Sequence, residues 1–330
     1  MKKRLVPTSI AACLVALCFC VSTYAWQPQA GAEPGRPAVP TLGGPLTWSD
    51  ELVYFDWRIQ RNTFLGQCRL LDGDNRRHAH GSFETCRAAL EEIKRQRNLP
   101  PMRGEAVLVL HGLGDTRIRC EPMAQYLRKS GGYLVFCIGY PSLFDDIGVH
   151  AQSLASVVAH LDGIDSIDLV GHSMGNLVIR HYLGDQTNAA AGRKPDPRIK
   201  RIVMVAPPNN GSELAVERGD NLAFKAILGV AGQQLGKRWP ELAPRLATPA
   251  CEFGIIAGGK GDASGMLPTL SGDNDGIVSV ASTRLAGARD FILVPELHFF
   301  ILQSPVAMKY TLCFLKNGYF VDADKRRPIE

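Results

Sequence analysis

A short apolar run followed by Gly-His-Ser-Met-Gly constrains the fold of this chain more than any other feature. The run occupies residues 167–170, the pentapeptide residues 171–175, and a helical pattern follows over residues 176–183. A serine flanked by glycines at a strand-to-helix junction is typical of a sharp, strained turn, because any side chain at the glycine positions would crowd the strand or the helix. Such a turn presents the hydroxyl at the edge of a sheet, so Ser173 is the predicted nucleophile.

Runs of β-branched residues and leucine alternate with helical stretches from residue 101 onward. The runs lie at residues 107–110, 133–138, 167–170, 202–205, 253–257 and 291–294. Two of the helices are well marked, one by apolar spacing over residues 147–161 and one by a Ser-Pro start and a glycine stop over residues 304–318. The alternation predicts an α/β fold at residues 101–324, with a mostly parallel central sheet and helices on both faces.

A glycine-rich loop, His-Gly-Leu-Gly-Asp at residues 111–115, follows the first of these strands. When a nucleophile attacks a carbonyl group, the oxygen becomes negatively charged, and preorganised backbone N–H groups stabilise that charge. We predict an oxyanion hole made by the N–H of Leu113 and the N–H of Met174, the residue after Ser173. Without Ser173, the same loop would be read as an ordinary strand-to-loop turn.

A serine hydroxyl is a poor nucleophile at neutral pH, so a histidine must accept its proton. The chain has eight histidines. His298 is the preferred base because it lies between the last predicted strand and the final predicted helix, which places it on a loop at the carboxyl edge of the sheet. The others lie in a polar loop, on predicted helices or in the glycine-rich turns, where surface or backbone-supporting roles fit better: His78, His80, His150, His160, His181, His111 and His172.

A carboxylate must orient that histidine, and the loop at residues 271–278 supplies one after the penultimate predicted strand. Asp275 is preferred because the adjoining Gly-Ile-Val can bury and orient it, whereas Asp273 is expected to be solvated. Asp262 is a weaker alternative, and Glu296 is too close to His298 in sequence to be preferred. The chain order is then Ser, Asp, His.

The N-terminus predicts export. Basic residues at 2–4 precede a mostly apolar run at 10–21 and the small residues Thr23 and Ala25. This pattern is typical of a signal peptide at residues 1–25, cleaved before Trp26, which indicates a secreted or periplasmic protein. Two alternatives are an uncleaved membrane anchor and a lipoprotein signal at Cys13.

The residues after the signal predict a flexible tether followed by a folded body. Residues 26–46 are rich in proline and glycine. The formal charge of the chain is +5, and it falls by three to +2 when the basic residues of the signal leave. No strongly basic face is implied by this balance, so nucleic acid is not an expected partner.

Two segments outside the predicted sheet are expected to be helical. Residues 47–100 form an N-terminal extension, with helices predicted over residues 47–64 and, capped by Ser82, over residues 82–96. Residues 212–249 form a cap insertion, in which Leu222, Ala226, Ile227 and Val230 share one helical face. A cap that exposes this face to lipid would indicate a lipase and a fixed cap an esterase, while the alternative is a surface helix pair with no gating role.

Six cysteines remain after removal of the signal: Cys68, Cys86, Cys120, Cys137, Cys251 and Cys313. An even number in an exported protein favours disulfides, although six cysteines allow fifteen pairings. Cys68 with Cys86 is the first expectation because these residues bracket a polar loop. Buried free thiols are the alternative, especially for Cys137 in its apolar run.

Five segments together resemble the bacterial secreted lipases of the α/β-hydrolase fold, including the group similar to inositol-deacylase-like esterases. They are residues 111–114, 171–175, 206–212 (Ala-Pro-Pro-Asn-Asn-Gly-Ser) and 274–278 (Asn-Asp-Gly-Ile-Val), and the late His298. The resemblance implies Asp275 as the acid of the triad and His298 as the base.

Two features depart from that family. Phe299 and Phe300 follow His298 where many lipases carry an acidic calcium-ligand pattern, so calcium dependence is not implied, and neither a metal nor a cofactor is expected. A calcium site in the Asp-rich loop near Asp275 is a separate alternative. The N-terminal extension has no counterpart in the best-known members.

The expected function is a serine hydrolase that cleaves carboxylic esters, a lipase or esterase with transient contact to a lipid surface. Thioesterase, amidase and acyltransferase chemistry requires the same triad and remains an alternative. A non-catalytic binding protein on the same fold is less favoured, because all three triad residue types and both oxyanion loops occur in order.

Overall fold

The computed structural model describes residues 44–187, 195–218 and 229–330. The predicted signal peptide and nearly all of the predicted tether at residues 26–46 lie outside the described residues. So do Leu222, Ala226 and Ile227 of the predicted cap face. Among the helices that are described, none combines the length and the apolar character needed to cross a bilayer.

The N-terminal extension is mainly an antiparallel sheet. Its strands, in spatial order, are β1 (Trp48–Tyr54), β2 (Trp57–Asn62), β3 (Cys68–Leu71) and β4 (Arg77–Gly81). The helix predicted over residues 47–64 is therefore wrong, and His78 and His80 lie in β4 rather than in a loop. The helix predicted from Ser82 is confirmed as α1 (Phe83–Gln96), with the Ser82 hydroxyl accepting a hydrogen bond from the Thr85 N–H at 3.1 Å.

Buried polar side chains explain the error over β1 and β2. Asp50 is fully buried in β1, and it accepts hydrogen bonds from Arg58 at 2.6 Å and from Gln60 at 2.8 Å, both on β2. Because these polar side chains are buried, the usual alternation of polar and apolar residues along a strand is hidden. The content of tryptophan, valine, tyrosine and isoleucine in the segment, which favours strands, is the better signal here.

A six-stranded parallel sheet forms the centre of the remaining fold. Its strands are β5 (Gly104–Leu110), β6 (Leu134–Ile138), β7 (Ile164–His172), β8 (Ile199–Val205), β9 (Glu252–Gly258) and β10 (Asp290–Val294). The spatial order is β10-β9-β8-β7-β5-β6, and each neighbouring pair is parallel. The six predicted runs are thus confirmed as one sheet.

Helices pack on both faces of this sheet. Besides α1 and the helical residues 229–234, the described helices are α2 (Glu121–Tyr126), α3 (Ile147–Ala159), α4 (Gly175–Gln186), α5 (Glu213–Arg218), α6 (Trp239–Leu242), α7 (Val280–Thr283) and α8 (Pro305–Asn317). One apolar core joins α3 and α4 to the face that carries Leu108, and a second core joins α2 and α8 to the face that carries Val109. With the sharp turn between the central strand β7 and helix α4, this arrangement is the α/β-hydrolase fold.

One of the two edge strands of the sheet is β6, and arginine side chains donate hydrogen bonds to two of its main-chain carbonyl groups. Arg128 donates to Val135 O at 2.7 Å, and Arg58 of the N-terminal sheet donates to Cys137 O at 3.0 Å. These carbonyls would otherwise be available to another strand, since edge strands present unpaired backbone groups.

The described cysteines, Cys68, Cys86, Cys120, Cys137, Cys251 and Cys313, are all free thiols. The expected Cys68–Cys86 disulfide is therefore absent. Both side chains are fully buried in the apolar core between β3 and α1, where cysteine packs as a small apolar residue. Burial also raises the pKa of the Cys68 thiol to about 11, which keeps it protonated and unreactive.

The described part of the predicted cap contains α5, helical residues 229–234 and α6. Two hydrogen bonds join residues 229–234 to the loop before α3 and to the first residue of α3. Val230 N–H donates to Leu143 O at 3.0 Å, and Ile147 N–H donates to the Gln234 side chain at 2.8 Å. This part of the insertion is therefore bonded to the loop that follows β6 and to the start of α3.

Candidate active site

Ser173 lies in the turn between β7 and α4 with a backbone φ of 52° and is 8% exposed. This left-handed conformation is strained for a residue with a side chain and occurs mainly where the surrounding structure enforces it. The glycines on either side are required sterically. A Cβ added at Gly175 would lie 2.7 Å from His111 O and 2.8 Å from Leu110 O, and one added at Gly171 would overlap the Asn176 side chain.

Hydrogen bonds to neighbouring main chain hold this turn in place. Ser173 N–H donates to Val205 O at 2.9 Å, which ties the turn to β8. The buried Asn176 side chain donates to Ser173 O at 3.0 Å and to Val205 O at 3.2 Å. Sequence reasoning missed Asn176, although an asparagine in the first turn of an otherwise apolar helix is a signal that could have been used.

The predicted oxyanion loop lies directly against the serine turn. A Cβ added at Gly112 would lie 3.1 Å from Ser173 Cβ, so a side chain at this position would crowd the serine. Neither Leu113 N–H nor Met174 N–H donates a hydrogen bond to another residue in the described part of the chain. Two backbone donors beside one serine hydroxyl are therefore available to a developing oxyanion.

His298 and Asp275 form a buried pair. The distance from His298 Nδ1 to Asp275 Oδ2 is 2.7 Å, and the two residues are 4% and 1% exposed. Their main chains are also joined, since His298 N–H donates to Asp275 O at 3.0 Å. The other carboxylate oxygen, Oδ1, accepts hydrogen bonds from the N–H of Ile277 and of Val278 at 3.0 and 2.7 Å. The carboxylate is thus fixed, with one oxygen directed at the imidazole.

Two neighbours shape the loop that carries Asp275. Asp273, expected to be solvated, instead accepts hydrogen bonds from the N–H of Lys260, Gly261 and Asn274. Asn274 is fully buried, and its side chain makes four hydrogen bonds to main-chain groups of the same loop. Asp273 is half-buried, so the expectation of a solvated carboxylate holds only in part: the carboxylate also serves as acceptor for main-chain N–H groups of an irregular loop.

His172 connects the serine turn to the His298 loop. Its Nε2 lies 3.0 Å from His298 O, and the two imidazole rings are 4.9 Å apart. Complete burial, followed by the proximity of His298, lowers the pKa of His172 well below its usual value. A neutral His172 whose Nε2–H donates to His298 O satisfies this geometry.

The remaining candidates lie apart from this arrangement. Asp262 accepts hydrogen bonds from Ser264 on an exposed loop, and His78 pairs with Asp72 at 2.7 Å on the N-terminal sheet. His181 pairs with Asp185 at 3.2 Å within α4. No cluster of three or more histidine, cysteine, aspartate or glutamate side chains that could hold a metal ion occurs within residues 44–187, 195–218 and 229–330.

One family model matches part of this chain. A domain of unknown function, DUF7379, matches residues 76–228. Among curated proteins, none matches this sequence.

Several solved structures are similar to this chain at low sequence identity. A gene product of Listeria innocua is 18% identical, with a TM-score of 0.46 over 66% of this chain and 95% of that one. The mature lipase BlEst2 of Bacillus licheniformis is 20% identical, with a TM-score of 0.45 over 67% of this chain and 92% of that one. An inhibited esterase B of Lactobacillus rhamnosis is 19% identical, with a TM-score of 0.45 over 66% of this chain and 76% of that one.

Proposed function

We propose that this chain is a serine hydrolase that cleaves carboxylic esters, with Ser173 as nucleophile, His298 as base and Asp275 as the carboxylate that orients the base. One observation carries the proposal. Ser173 is held in a left-handed turn beside two free backbone amides, those of Leu113 and Met174. The same turn is hydrogen bonded, through His172, to the loop of His298, which is paired with the buried carboxylate of Asp275.

In the proposed reaction, His298 Nε2 accepts the proton of the Ser173 hydroxyl while Oγ attacks the ester carbonyl carbon. The carbonyl oxygen becomes an oxyanion that accepts hydrogen bonds from Leu113 N–H and Met174 N–H. Collapse of this intermediate breaks the bond to the alcohol oxygen, which takes the proton from His298. A water molecule then attacks the acyl-serine by the same steps, releasing the carboxylic acid and restoring the hydroxyl.

The 2.7 Å contact between Asp275 Oδ2 and His298 Nδ1 supports the assignment of base and orienting acid. In the neutral imidazole, a carboxylate that accepts the Nδ1 proton selects the tautomer in which the lone pair of Nε2 can accept a proton from serine. Burial of both residues excludes water from the pair, which strengthens the interaction with the imidazolium formed during the reaction.

Exposed apolar side chains near the proposed site support transient contact with a lipid surface. Leu297 and Phe300, on either side of the catalytic loop at His298, are 45% and 48% exposed. Phe144, two residues after the Ser142 side chain that contacts the oxyanion loop, is 43% exposed. We propose a lipid or other ester substrate. A rise in activity on a short ester above its solubility limit supports this contact, and a smooth saturation curve opposes it.

We also propose that the protein is exported through residues 1–25. The support is the basic start, the apolar run and the small residues before Trp26. N-terminal sequencing of the protein recovered from the medium or periplasm tests this. A mature protein that begins at Trp26 is expected, and a cytoplasmic protein that retains Met1 would contradict it.

Labelling by a fluorophosphonate tests the enzymatic proposal, because these reagents react with activated serine hydroxyls. The wild-type protein is expected to be labelled at Ser173, and Ser173→Ala to lose both the label and the hydrolysis of p-nitrophenyl esters. Ser153→Ala, which removes a buried serine from α3, is the matched control and is expected to behave as wild type. An unlabelled, folded wild-type protein would refute the proposal. A panel from acetate to palmitate would then define the acyl chain.

A further inference from the structure

Tyr140 is buried just beyond β6 and contacts the residue at which the oxyanion loop begins. Its hydroxyl donates a hydrogen bond to the main-chain oxygen of His111. Its ring also stacks on the His111 imidazole, with centroids 4.1 Å apart and an interplanar angle of 11°. Tyr140 therefore restrains both the main chain and the side chain of His111.

His111 in turn fixes the next peptide unit of the loop. Its Nδ1 lies 2.9 Å from Gly112 O, which gives that carbonyl oxygen a donor on the His111 side. The C=O of Gly112 and the N–H of Leu113 belong to one planar trans peptide, so they point in opposite directions. Holding the carbonyl against His111 thus directs Leu113 N–H away from His111.

The third peptide unit of the loop is held from the same segment as Tyr140. Gly114 N–H donates to the Ser142 hydroxyl at 3.1 Å. Three consecutive peptide units of the loop are thus held, the first by Tyr140, the second by His111 and the third by Ser142. Tyr140 also restrains His111. Leu113 N–H is left as the donor that faces none of these partners.

The N-terminal sheet anchors this segment through Asp50 of β1. Asp50 N–H donates to Gly139 O at 2.9 Å, and Asp50 Oδ2 accepts from Gly139 N–H at 2.7 Å. Because Asp50 is itself fully buried and ion-paired with Arg58 at 2.6 Å, the main chain immediately before Tyr140 is fixed by a second sheet.

We propose that Tyr140 is a positioning residue for the oxyanion loop and that the N-terminal sheet holds Tyr140 in place through Asp50. This inference rests on the proposed hydrolase function. A donor that is already oriented stabilises the oxyanion of the transition state without reorganisation, but it contributes little to binding of the neutral ester. Loss of the Tyr140 hydroxyl should therefore lower kcat and leave KM nearly unchanged.

Tyr140→Phe removes the hydroxyl and retains the stacked ring. We expect kcat to fall about 10-fold and KM to stay within about twofold of wild type. Tyr54→Phe is the matched control, because the Tyr54 hydroxyl also donates to a main-chain carbonyl, Pro100 O at 2.6 Å, in a contact that does not involve the oxyanion loop. The control is expected to keep wild-type kcat even where its unfolding midpoint falls as much as that of Tyr140→Phe.

Affinity for a trifluoromethyl ketone separates positioning from general destabilisation. This inhibitor forms a tetrahedral oxyanion adduct with an active serine, so its inhibition constant reports the oxyanion donors directly. For Tyr140→Phe the constant is expected to rise by the same factor by which kcat/KM falls, and for Tyr54→Phe to remain unchanged. An unchanged constant for Tyr140→Phe, or equal losses in both variants, would overturn the inference.

Asp50→Asn tests the link to the N-terminal sheet. Because both substitutions act on one restraint, the fold-decrease in kcat of the double variant with Tyr140→Phe should be smaller than the product of the two single fold-decreases. If the fold-decrease of the double variant equals that product, the role of the sheet is overturned. If Asp50→Asn does not fold, Gln60→Leu takes its place in the same experiment, because it removes one hydrogen-bond donor to Asp50. An inactive and unlabelled wild-type protein would refute the proposed hydrolase itself, whereas an active wild type with unaltered Tyr140→Phe kinetics would refute this inference alone.

Discussion

The side chain of His172 is hydrogen bonded to the main chain of His298, with Nε2 3.0 Å from the carbonyl oxygen. This bond joins the turn that carries Ser173 to the loop that carries the proposed base. The two loops follow different strands, β7 and β10, which are not neighbours in the sheet. Their relative position therefore depends on contacts of this kind as well as on the strands themselves.

Replacement of His172 tests the importance of that bond. His172→Phe retains a ring of similar size but has no donor for His298 O, so the His298 loop gains freedom and kcat is expected to fall about 10-fold. His172→Gln places an amide donor near the position of Nε2 and is expected to recover part of the loss. Steady-state kinetics on a short p-nitrophenyl ester provides the measurement.

His160→Phe is the control for this pair of variants. His160 Nδ1 lies 2.7 Å from Ser156 O, so the substitution removes the same kind of bond at the end of α3. Its kcat should equal that of wild type. If His172→Phe were as active as His160→Phe, the His298 loop would not depend on His172.

Asp275→Asn is expected to lower kcat by a factor of about 10³ to 10⁴ with little change in KM, because an amide in place of the carboxylate favours the wrong imidazole tautomer. His298→Ala should cause a loss of similar or larger size. Asp262→Asn, in an exposed part of the same loop between β9 and α7, is the control and should retain full activity. Near-normal turnover by Asp275→Asn would point to a different acid.

Acid should destabilise the protein through its buried histidines. Burial lowers the pKa of His111, His150 and His172, and that of His150 falls to about 3. The unfolded chain binds protons at these imidazoles below about pH 6.5, whereas the folded protein does not, so the free energy of unfolding decreases as the pH falls from 6.5 toward 3. For His150 alone the expected loss by pH 4 is about 3 kcal/mol.

Urea unfolding between pH 7 and pH 4 measures this dependence. His150→Phe removes one titrating group and is expected to show a shallower decrease in the free energy of unfolding than wild type. The comparison depends on the slopes alone, so a general loss of stability in the variant does not affect it. Identical slopes would mean that His150 is protonated in the folded protein or that it titrates normally there.

The C-terminal segment should depend on Asp290 at the start of β10. This buried carboxylate accepts hydrogen bonds from the N–H of Phe291, Phe320 and Arg327 at 2.8 to 2.9 Å. Asp290→Ala leaves these donors without an acceptor and is expected to lower the free energy of unfolding by about 3 kcal/mol. Proteolysis of the native protein should then begin within residues 318–330, and an intact tail after protease treatment would contradict the prediction.

The central sheet could be predicted because parallel strands buried on both faces are continuous apolar runs, and such runs are visible without any knowledge of their neighbours. Strands β1 and β2 could not be predicted in this way. Their buried Asp50, Arg58 and Gln60 satisfy one another across the hairpin, so the sequence shows polar residues at positions where the structure has a core. These hydrogen bonds form only when β1 and β2 have paired, so the sequence of either strand alone does not reveal them.

The candidate site shows the same division. Ser173, Asp275 and His298 follow strands in segments whose glycine, asparagine or loop context is local, and the structure brings Asp275 and His298 within hydrogen-bonding distance. Tyr140 has no local signal. Its partner His111 is 29 residues away in sequence, and the contact arises because β5 and β6 are neighbours in the sheet. Residues that support a site from adjacent strands are identifiable only when the strand order is known.

The two arginines that donate hydrogen bonds to β6 also bear on how this protein behaves at high concentration. A second copy that approached this edge to extend the sheet would need the oxygens of Val135 and Cys137, which already accept from Arg128 and Arg58. Strand addition would have to break the hydrogen bonds that these guanidinium groups donate to the two oxygens, while the carboxylates of Glu121 and Asp50 hold Arg128 and Arg58 in place. Strand addition at this end is therefore disfavoured. Because Arg58 belongs to the N-terminal sheet, that sheet also helps to protect the β6 edge against aggregation by strand addition.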